Sequence, residues 1–521
     1  MQTDLQKGQM PFQLSNPAFL HNQLYINGEW KQSVSDKTFP VQDPGTGKTW
    51  IWCQDSTPDD ADAAVKAAHA TFQSYSQLNP RKRAELLASW HRLLVSSRDD
   101  LAKILVHETG KPLAEAYGEL DYGISFTWWF TGEADRIQGS TFTSAAPNRR
   151  AITIKQPIGV AVAMVPWNFP IALVLRKASA ALAAGCTMVI KPSPETPITA
   201  LCLAELATQA GFPPGALNVL TTSAENTPAV SRALCTHPLV KKVSFTGSTQ
   251  VGKIVAELCA SGLTKSTLEL GGNCPFIVFD DADLDHAVDE LIALKWRHAG
   301  QACITANRVF VQRGVYEEFI DRVVHRTRSL VVGHGMDAKT TMGPVTVPRS
   351  LDKVEAIASD AIRKGAKLLL GSGQRRISHE TKSADSCAGY FMDPTILIDM
   401  TDDMLMSQEE VFGPLLGFYP FTSETEVTKR ANDTTFGLAS YVFTENVNRL
   451  WRMMEKLEAG MIGLVSNSEL QCIKYECTYL TQTLVPYRMR AMDQPQKPLS
   501  EASRIVDGVK KVGKMSRLTS S

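Results

Sequence analysis

Leu86, Leu87, Trp90, Leu93 and Leu94 recur at three- and four-residue spacing, so residues 57–110 read as helices that bury one face. Thr57-Pro58-Asp59-Asp60 opens this stretch as a helix start, with proline and acids in the first turn. From Ile158 the period changes. Short apolar runs at 159–165, 187–190, 217–220 and 240–245 predict strands, and the Ala-rich stretches 177–184 and 200–209 between them predict helices. Strand and helix in alternation imply a parallel, doubly wound sheet. A second set of runs follows at 276–279, 309–311, 367–370 and 415–418, with a helical segment at 287–296. Two α/β domains in tandem are the economical fold. Past Gly463 the pattern is lost. Residues 469–487 mix Cys, Tyr, Thr and Leu without a period, and Gln494-Pro495-Gln496-Lys497-Pro498 breaks any element. This tail, basic and Ser-rich at its end, reads as irregular or loosely ordered.

At 521 residues the chain exceeds what a single core organises, in keeping with two or three domains. Its 54 Lys plus Arg balance 54 Asp plus Glu, so no net field draws it to nucleic acid or to an anionic membrane. No apolar run has the length needed to span a bilayer. The first residues show neither a secretory signal nor an Arg-rich transit peptide. Ten cysteines are scattered singly, without CxxC pairs or histidine partners at zinc spacing, which fits a reducing compartment. The expectation is a cytoplasmic protein whose partner is a small molecule.

Candidate chemistry gathers in a few segments. Cys303, in Gly300-Gln301-Ala302-Cys303, stands at a turn between a helical segment and an apolar strand, a place from which a thiol can attack a ligand. A free cysteine is more often a small buried hydrophobe, and position alone favours that reading. The carboxylate of Glu269, in Leu268-Glu269-Leu270-Gly271-Gly272, supplies a general base and shifts the balance toward covalent catalysis. Val243-Ser244-Phe245-Thr246-Gly247-Ser248 runs from a strand into a Gly turn and a helix start. Such a turn can present backbone N–H groups to a pyrophosphate, and it reads equally well as purely structural. Lys191 ends a strand at its carboxyl edge, where a ligand phosphate or ribose would bind, or where a solvated loop charge would sit. Asn168, in Pro166-Trp167-Asn168-Phe169-Pro170, can donate to an oxyanion or merely cap the turn.

Together these segments resemble the aldehyde dehydrogenase superfamily, NAD(P)-dependent enzymes with a cysteine nucleophile. The likeness runs from Tyr25-Ile26-Asn27-Gly28-Glu29-Trp30 to about Gly463 and includes Glu409-Glu410-Val411-Phe412-Gly413-Pro414. It implies a Rossmann-like NAD(P)-binding domain at 1–138 and 158–268 and a catalytic domain at 269–463. An oligomerisation hairpin at 139–157 would join a homodimer or tetramer. By the same resemblance Cys303 attacks the aldehyde, and the Asn168 amide and the Cys303 N–H hold the oxyanion. Glu269 activates the hydrolytic water. Trp167, Lys191, Ser193, Gly247, Ser248, Glu410 and Phe412 line the cofactor, which is NAD or NADP. Many NAD-preferring members carry Glu three residues after the Lys191 position. Here that residue is Pro194 and the acid falls at Glu195, which tilts the expectation toward tolerance of NADP.

The nearest likeness is to the succinate-semialdehyde dehydrogenase branch, in which two arginines reach the substrate carboxylate. Arg176 and Arg297 match those positions, and a guanidinium fork suits a carboxylate. The second cysteine of redox-switched members is Thr305 here, so that disulfide is not expected. After Gly463 the likeness stops. The family continues with a substrate-lining loop, a Pro-Phe-Gly-Gly-x-Lys-x-Ser-Gly box and a strand that adds to a neighbouring subunit. This chain has Leu464-Val465-Ser466-Asn467-Ser468 and then a divergent 464–521 segment, with a faint echo at Asp507-Gly508-Val509-Lys510-Lys511-Val512-Gly513. Two expectations therefore stand together: an active dehydrogenase for a semialdehyde or another pathway-specific aldehyde, or a nucleotide-binding relic impaired by its altered end.

Overall fold

The computed structural model of the chain describes residues 11–143, 145, 150–376 and 389–465. The apolar runs become the centres of two seven-stranded sheets. The first is ordered Lys265–Glu269, Val240–Thr246, Val160–Met164, Thr187–Lys191, Leu217–Val219, Leu24–Ile26 and Glu29–Lys31. The second is ordered Lys367–Leu370, Thr395–Ile398, Leu415–Phe421, Ala306–Gln312, Cys274–Val278, Ala439–Phe443 and Met461–Val465. Every residue of Val160–Met164, Thr187–Lys191 and Cys274–Val278 is buried. Helices cover both faces of such strands, so they read as unbroken apolar runs instead of alternating ones.

The centres of both sheets are parallel, as the strand–helix alternation implies, and each sheet carries antiparallel pairing at one end only. Leu24–Ile26 runs antiparallel to both Glu29–Lys31 and Leu217–Val219, and Lys367–Leu370 runs antiparallel to Thr395–Ile398. The first edge turns back through Asn27 and Gly28, both at positive φ (57° and 78°), the geometry of a two-residue hairpin. Met461–Val465 pairs parallel with Ala439–Phe443, so Leu464 and Val465 continue a regular strand beyond the point where the resemblance stops. The irregular reading of 469–487 and the echo at 507–513 lie outside the described residues.

The expected helical region resolves into Pro58–Tyr75, Pro80–Ser96 and Arg98–Thr109. Thr57 accepts from the Asp60 N–H while the Asp60 carboxylate accepts from the Thr57 N–H, a capping box that fixes the first of them. Leu87, Trp90 and Leu94 are fully buried, and the Trp90 indole donates to Leu203 O at 3.2 Å. The helix expected at 177–184 starts earlier, at Pro170, because proline suits a first helical turn. Its orphan N–H groups at Ile171 and Ala172 are taken up by the buried carboxylate of Glu119, from the helix Leu113–Glu133. Glu108 does the same for Ile198 and Thr199 at the start of Pro197–Gln209. Two helix entrances beside the first sheet are thus anchored by carboxylates distant in sequence.

Asp43 ties the two halves together. Its Oδ2 accepts from His107 Nδ1 (2.8 Å) and from His334 Nε2 (3.1 Å), and its Oδ1 accepts from the Gly45 N–H. His334 Nδ1 accepts from the Met336 N–H, which places the ring proton on Nε2 and makes this a hydrogen-bonded clasp and not a set of open ligands. A separate hairpin, Ser140–Thr143 with Arg150–Thr153, stands apart from both sheets. It exposes Phe142 and Ile152, with Ile154 beside them. Among the described residues no helix is long and apolar enough to cross a membrane.

Strand direction sets the place of the chemistry. Trp167 and Asn168, Lys191, Gly247 and Glu269 all lie at or just beyond the carboxyl ends of parallel strands in the first sheet. Gly272, Cys303 and Glu410 precede the amino ends of parallel strands in the second. The two edges meet where Asn168 Nδ2 donates to Gln301 O at 3.0 Å.

Candidate active site

The loop that carries Cys303 is held in a conformation most residues avoid. After the helix Leu284–Trp296, His298 and Ala299 both take left-handed backbone (φ 51° and 52°). Each such residue costs about 1–3 kcal/mol and persists only where surrounding contacts dictate it. Those contacts are present. Glu115 Oε2 accepts from the His298 N–H (2.7 Å), and the Gln301 side chain donates to His298 O (2.9 Å) and accepts from the Thr346 N–H (2.9 Å). Gly300 follows at φ 75°, and a Cβ there would lie 2.3 Å from Gly413 O, so the loop packs too closely for any side chain. The result presents Cys303 half-buried at the junction of the two sheets.

Around the thiol the charges are arranged against one another. Desolvation first, then the Glu410 and Glu269 carboxylates, push Cys303 up to about 12, with the Arg176 cation opposing. Glu410 is itself pushed up to about 7 by burial, although its Oε1 accepts from the Gly272 N–H at 2.9 Å. Glu269 ends its strand nearly buried, and its carbonyl accepts from the Gly247 N–H at 3.0 Å. Asn168 is buried, with one amide N–H spent on Gln301 O and its own backbone carbonyl accepting from Lys111 Nζ at 2.8 Å. Lys111 in turn is ion-paired with Glu119, both almost fully buried.

Sequence reasoning misses Lys177. Its ammonium is buried, donates to Ser244 Oγ at 2.9 Å, and is pushed down to about 7 by desolvation, with Glu269 opposing. A signal exists: Lys177 is the one charged residue among the buried positions of the helix Pro170–Ala183. The Lys111–Glu119–Asn168 network is missed too, and spacing offers nothing to find it by.

The expected cofactor residues lie along the first sheet's carboxyl edge, with Glu410 and Phe412 contributed from the second sheet. Lys191 is buried, donates to Pro192 O at 3.0 Å and is pushed down to about 8 by desolvation. Ser193 donates to Glu195, and Glu195 pairs with Arg349 at 2.7 Å. Ser248 caps the helix Thr249–Ser261, accepting from Val251 N at 3.4 Å, so Gly247 and Ser248 stand at a helix N-terminus. The buried Thr246 hydroxyl beside them has no hydrogen-bond partner, an orphan that a ligand phosphate oxygen would satisfy. Phe412 takes positive φ (54°) and meets the edge of Trp167 at 5.4 Å between centroids. These residues fit a dinucleotide.

The two arginines rest on different rings. Arg176 is held by the Tyr122 hydroxyl and lies 4.7 Å from the Phe126 ring, whereas Arg297 is exposed and lies 5.3 Å from the Phe169 ring. Arg176 and Lys177 also line a cavity of about 660 Å³ with Phe126, Trp128, Lys242 and Ser244, which does not reach Cys303.

The sequence profile of the aldehyde dehydrogenase family matches residues 30–472. The chain is 44% identical over 451 residues to the NADP(+) succinate-semialdehyde dehydrogenase GabD of Escherichia coli K12, covering 87% of this chain and 91% of that one. It is also 44% identical to the glutarate-semialdehyde dehydrogenase of Pseudomonas putida KT2440 (87% and 91% covered) and to a 3-sulfolactaldehyde dehydrogenase of P. putida (87% and 90%). The crystal structure of an E. coli NADP-dependent enzyme superposes with a TM-score of 0.83 at 44% identity, covering 87% of this chain and 93% of that one. Succinate-semialdehyde dehydrogenase from Burkholderia pseudomallei gives 0.83 at 42%, with 87% and 92% covered. The left-handed cysteine loop facing Asn168, Glu269 and Glu410 across two α/β sheets thus lies in a chain with close counterparts over most of its length, and the chain belongs to the aldehyde dehydrogenase family.

Proposed function

We propose that this NAD(P)-dependent aldehyde dehydrogenase oxidises a short aldehyde that carries an acidic group at its far end, such as succinate semialdehyde. The observation that carries the reading is the half-buried Cys303 at the charge junction of Glu269, Glu410 and Arg176. Cys303 gives up its proton to Glu269 and attacks the aldehyde carbon, and the oxyanion of the resulting thiohemiacetal is held by the Asn168 amide and the Cys303 N–H. Lys191, Ser193, Gly247, Ser248, Glu410, Phe412 and Trp167 would hold the dinucleotide, which would supply the hydride acceptor needed to turn the thiohemiacetal into a thioester on Cys303. Glu269 passes that first proton on and, again a carboxylate, deprotonates the water that hydrolyses the thioester; Lys177, poised at about 7 and sensing Glu269, takes part in relaying both protons through Ser244 to solvent.

Substrate choice rests on Arg176 and Arg297. A guanidinium stacked on an aromatic ring keeps its planar fork oriented for a carboxylate or sulfonate, and loses little freedom in binding it. Relatives named for succinate semialdehyde, glutarate semialdehyde and sulfolactaldehyde all share that acidic end. The exposed apolar hairpin with Phe142 and Ile152 supports the reading of a homodimer or tetramer joined there. A cytoplasmic setting is supported by the seven described cysteines, all of them free.

The test is a panel of succinate semialdehyde, glutarate semialdehyde and propanal, each with NAD and NADP, read as formation of reduced dinucleotide. The acidic aldehydes should lead in kcat/KM. An impaired relic would bind the dinucleotide and turn over none of the three. A preference for propanal would remove the arginine clamp.

A further inference from the structure

Glu195 is an acid beside Lys191 and Ser193, and its carboxylate does not stand alone. Ser193 donates to one oxygen, and the Arg349 guanidinium reaches the other at 2.7 Å. Arg349 belongs to the helix Pro348–Arg363, which packs with the second sheet, so this pair links the first sheet's carboxyl edge to the second core. Its side chain is 67% exposed against 15% for Glu195. The cation therefore comes in from the solvent side to cover an acid that the loop holds in place.

From this placement we infer that Arg349 sets cofactor choice by neutralising Glu195, so that the site at Lys191 and Ser193 admits a dinucleotide bearing a 2′-phosphate. The inference rests on the reading above, in which Lys191 and Ser193 line the dinucleotide, and it takes them to hold the adenosine ribose. An uncovered carboxylate next to that ribose would accept its two hydroxyls and repel a phosphate in their place. Paired with Arg349, Glu195 loses its repulsion, and the phosphate meets two cations, Lys191 and Arg349, against one acid. An exposed pair of this kind is weak in itself, so it contributes little to the fold and acts on the local field. Arg349 is a positioning residue here, since it works through Glu195.

The test measures binding, with no turnover required. Adenosine 2′,5′-bisphosphate and 5′-ADP are titrated by calorimetry into the full-length wild type and into Arg349→Ala, Arg349→Ala/Glu195→Gln and Lys191→Met. Arg349→Ala should weaken the 2′,5′-bisphosphate by about tenfold or more and 5′-ADP by less than about twofold. The double variant should regain most of the lost affinity, a rescue that a merely structural Arg349 would not allow. An unchanged ratio of the two affinities in Arg349→Ala, or no rescue in the double variant, overturns the inference. If Lys191→Met leaves both nucleotides unaffected, the placement of the ribose is itself wrong and the inference falls with it. Arg349 is exposed, so its variant tests selectivity without threatening the fold.

Discussion

Replacing Lys111 by Met removes an ammonium that is 1% exposed and that lies between the Glu119 carboxylate and Asn168 O. The chain around it cannot readily adjust. Glu119 also holds the first N–H groups of the helix Pro170–Ala183, so its carboxylate would remain in place, buried and without its cation. Breaking a buried pair from one side costs about 3–5 kcal/mol. For a unit of roughly 150–250 residues this lowers the unfolding temperature by about 6–20 °C. Lys111 also fixes the backbone of Asn168, so kcat should fall in the fraction that stays folded. The assay is thermal unfolding followed by circular dichroism, with steady-state rates on the same samples. Lys111→Met/Glu119→Gln serves as the control: it removes both charges, and the new side-chain amide oxygen can still accept from the Ile171 and Ala172 N–H groups. It should regain a large part of the lost stability. A loss below about 1 kcal/mol in the single variant, or a double variant no better than the single, would refute the reasoning.

Three further outcomes are expected. Asn168→Ala should lower kcat by about 10²–10³ while dinucleotide affinity stays within about twofold, and a rate within tenfold of wild type would deny the amide its oxyanion role. Glu410→Gln removes a carboxylate that raises the Cys303 thiol, so iodoacetamide should alkylate the unliganded variant about tenfold faster than wild type at the same pH. No acceleration would mean that Glu410 does not sense the thiol. Asp43 is held at about 2, below its ordinary 3.8, by hydrogen bonds from His107 and His334 against the pull of desolvation. A depressed acid stabilises the fold above its unfolded pKa and loses that contribution as pH falls toward the folded one. The stability gap between wild type and Asp43→Asn, on the order of 2 kcal/mol, should therefore narrow between about pH 5 and about pH 3. A gap that does not change with pH would show that the clasp is not charged.

Much of this molecule is legible in the chain because its strands are buried on both faces. Val160–Met164 and Thr187–Lys191 announce themselves as apolar runs, Val240–Thr246 shows only Val240, Val243 and Phe245 as buried apolar positions, and the residues at or after their ends, Asn168, Lys191 and Gly247, fall by topology on one edge. Lys265–Glu269 is not legible as a strand. It lies at the sheet margin with two exposed residues, so no run marks it, and Glu269 is found through its motif alone. The antiparallel edge at Leu24–Ile26 depends on left-handed Asn27 and Gly28, which a short segment does not declare. Ala299 is not a residue from which left-handed backbone would be guessed, and the hydrogen bonds with Glu115 and Gln301 that hold His298 in that region join it to side chains no local pattern records. Long-range polar pairs are equally hidden. Lys111 with Asn168, Glu195 with Arg349 and Asp43 with His334 join residues 57, 154 and 291 positions apart, and no local period records them.

The most direct measurement is on Cys303 itself. Full-length protein is mixed with succinate semialdehyde and a small excess of NADP, quenched in acid within the first turnovers, and examined by intact-protein mass spectrometry alongside the absorbance of the reduced dinucleotide. The expected result is reduced dinucleotide in step with a succinyl adduct that maps to Cys303, accumulating further in Glu269→Gln and absent in Cys303→Ala. Reduced dinucleotide formed by Cys303→Ala at the wild-type rate, or no adduct and no reduction in any variant, would contradict a covalent mechanism at this thiol.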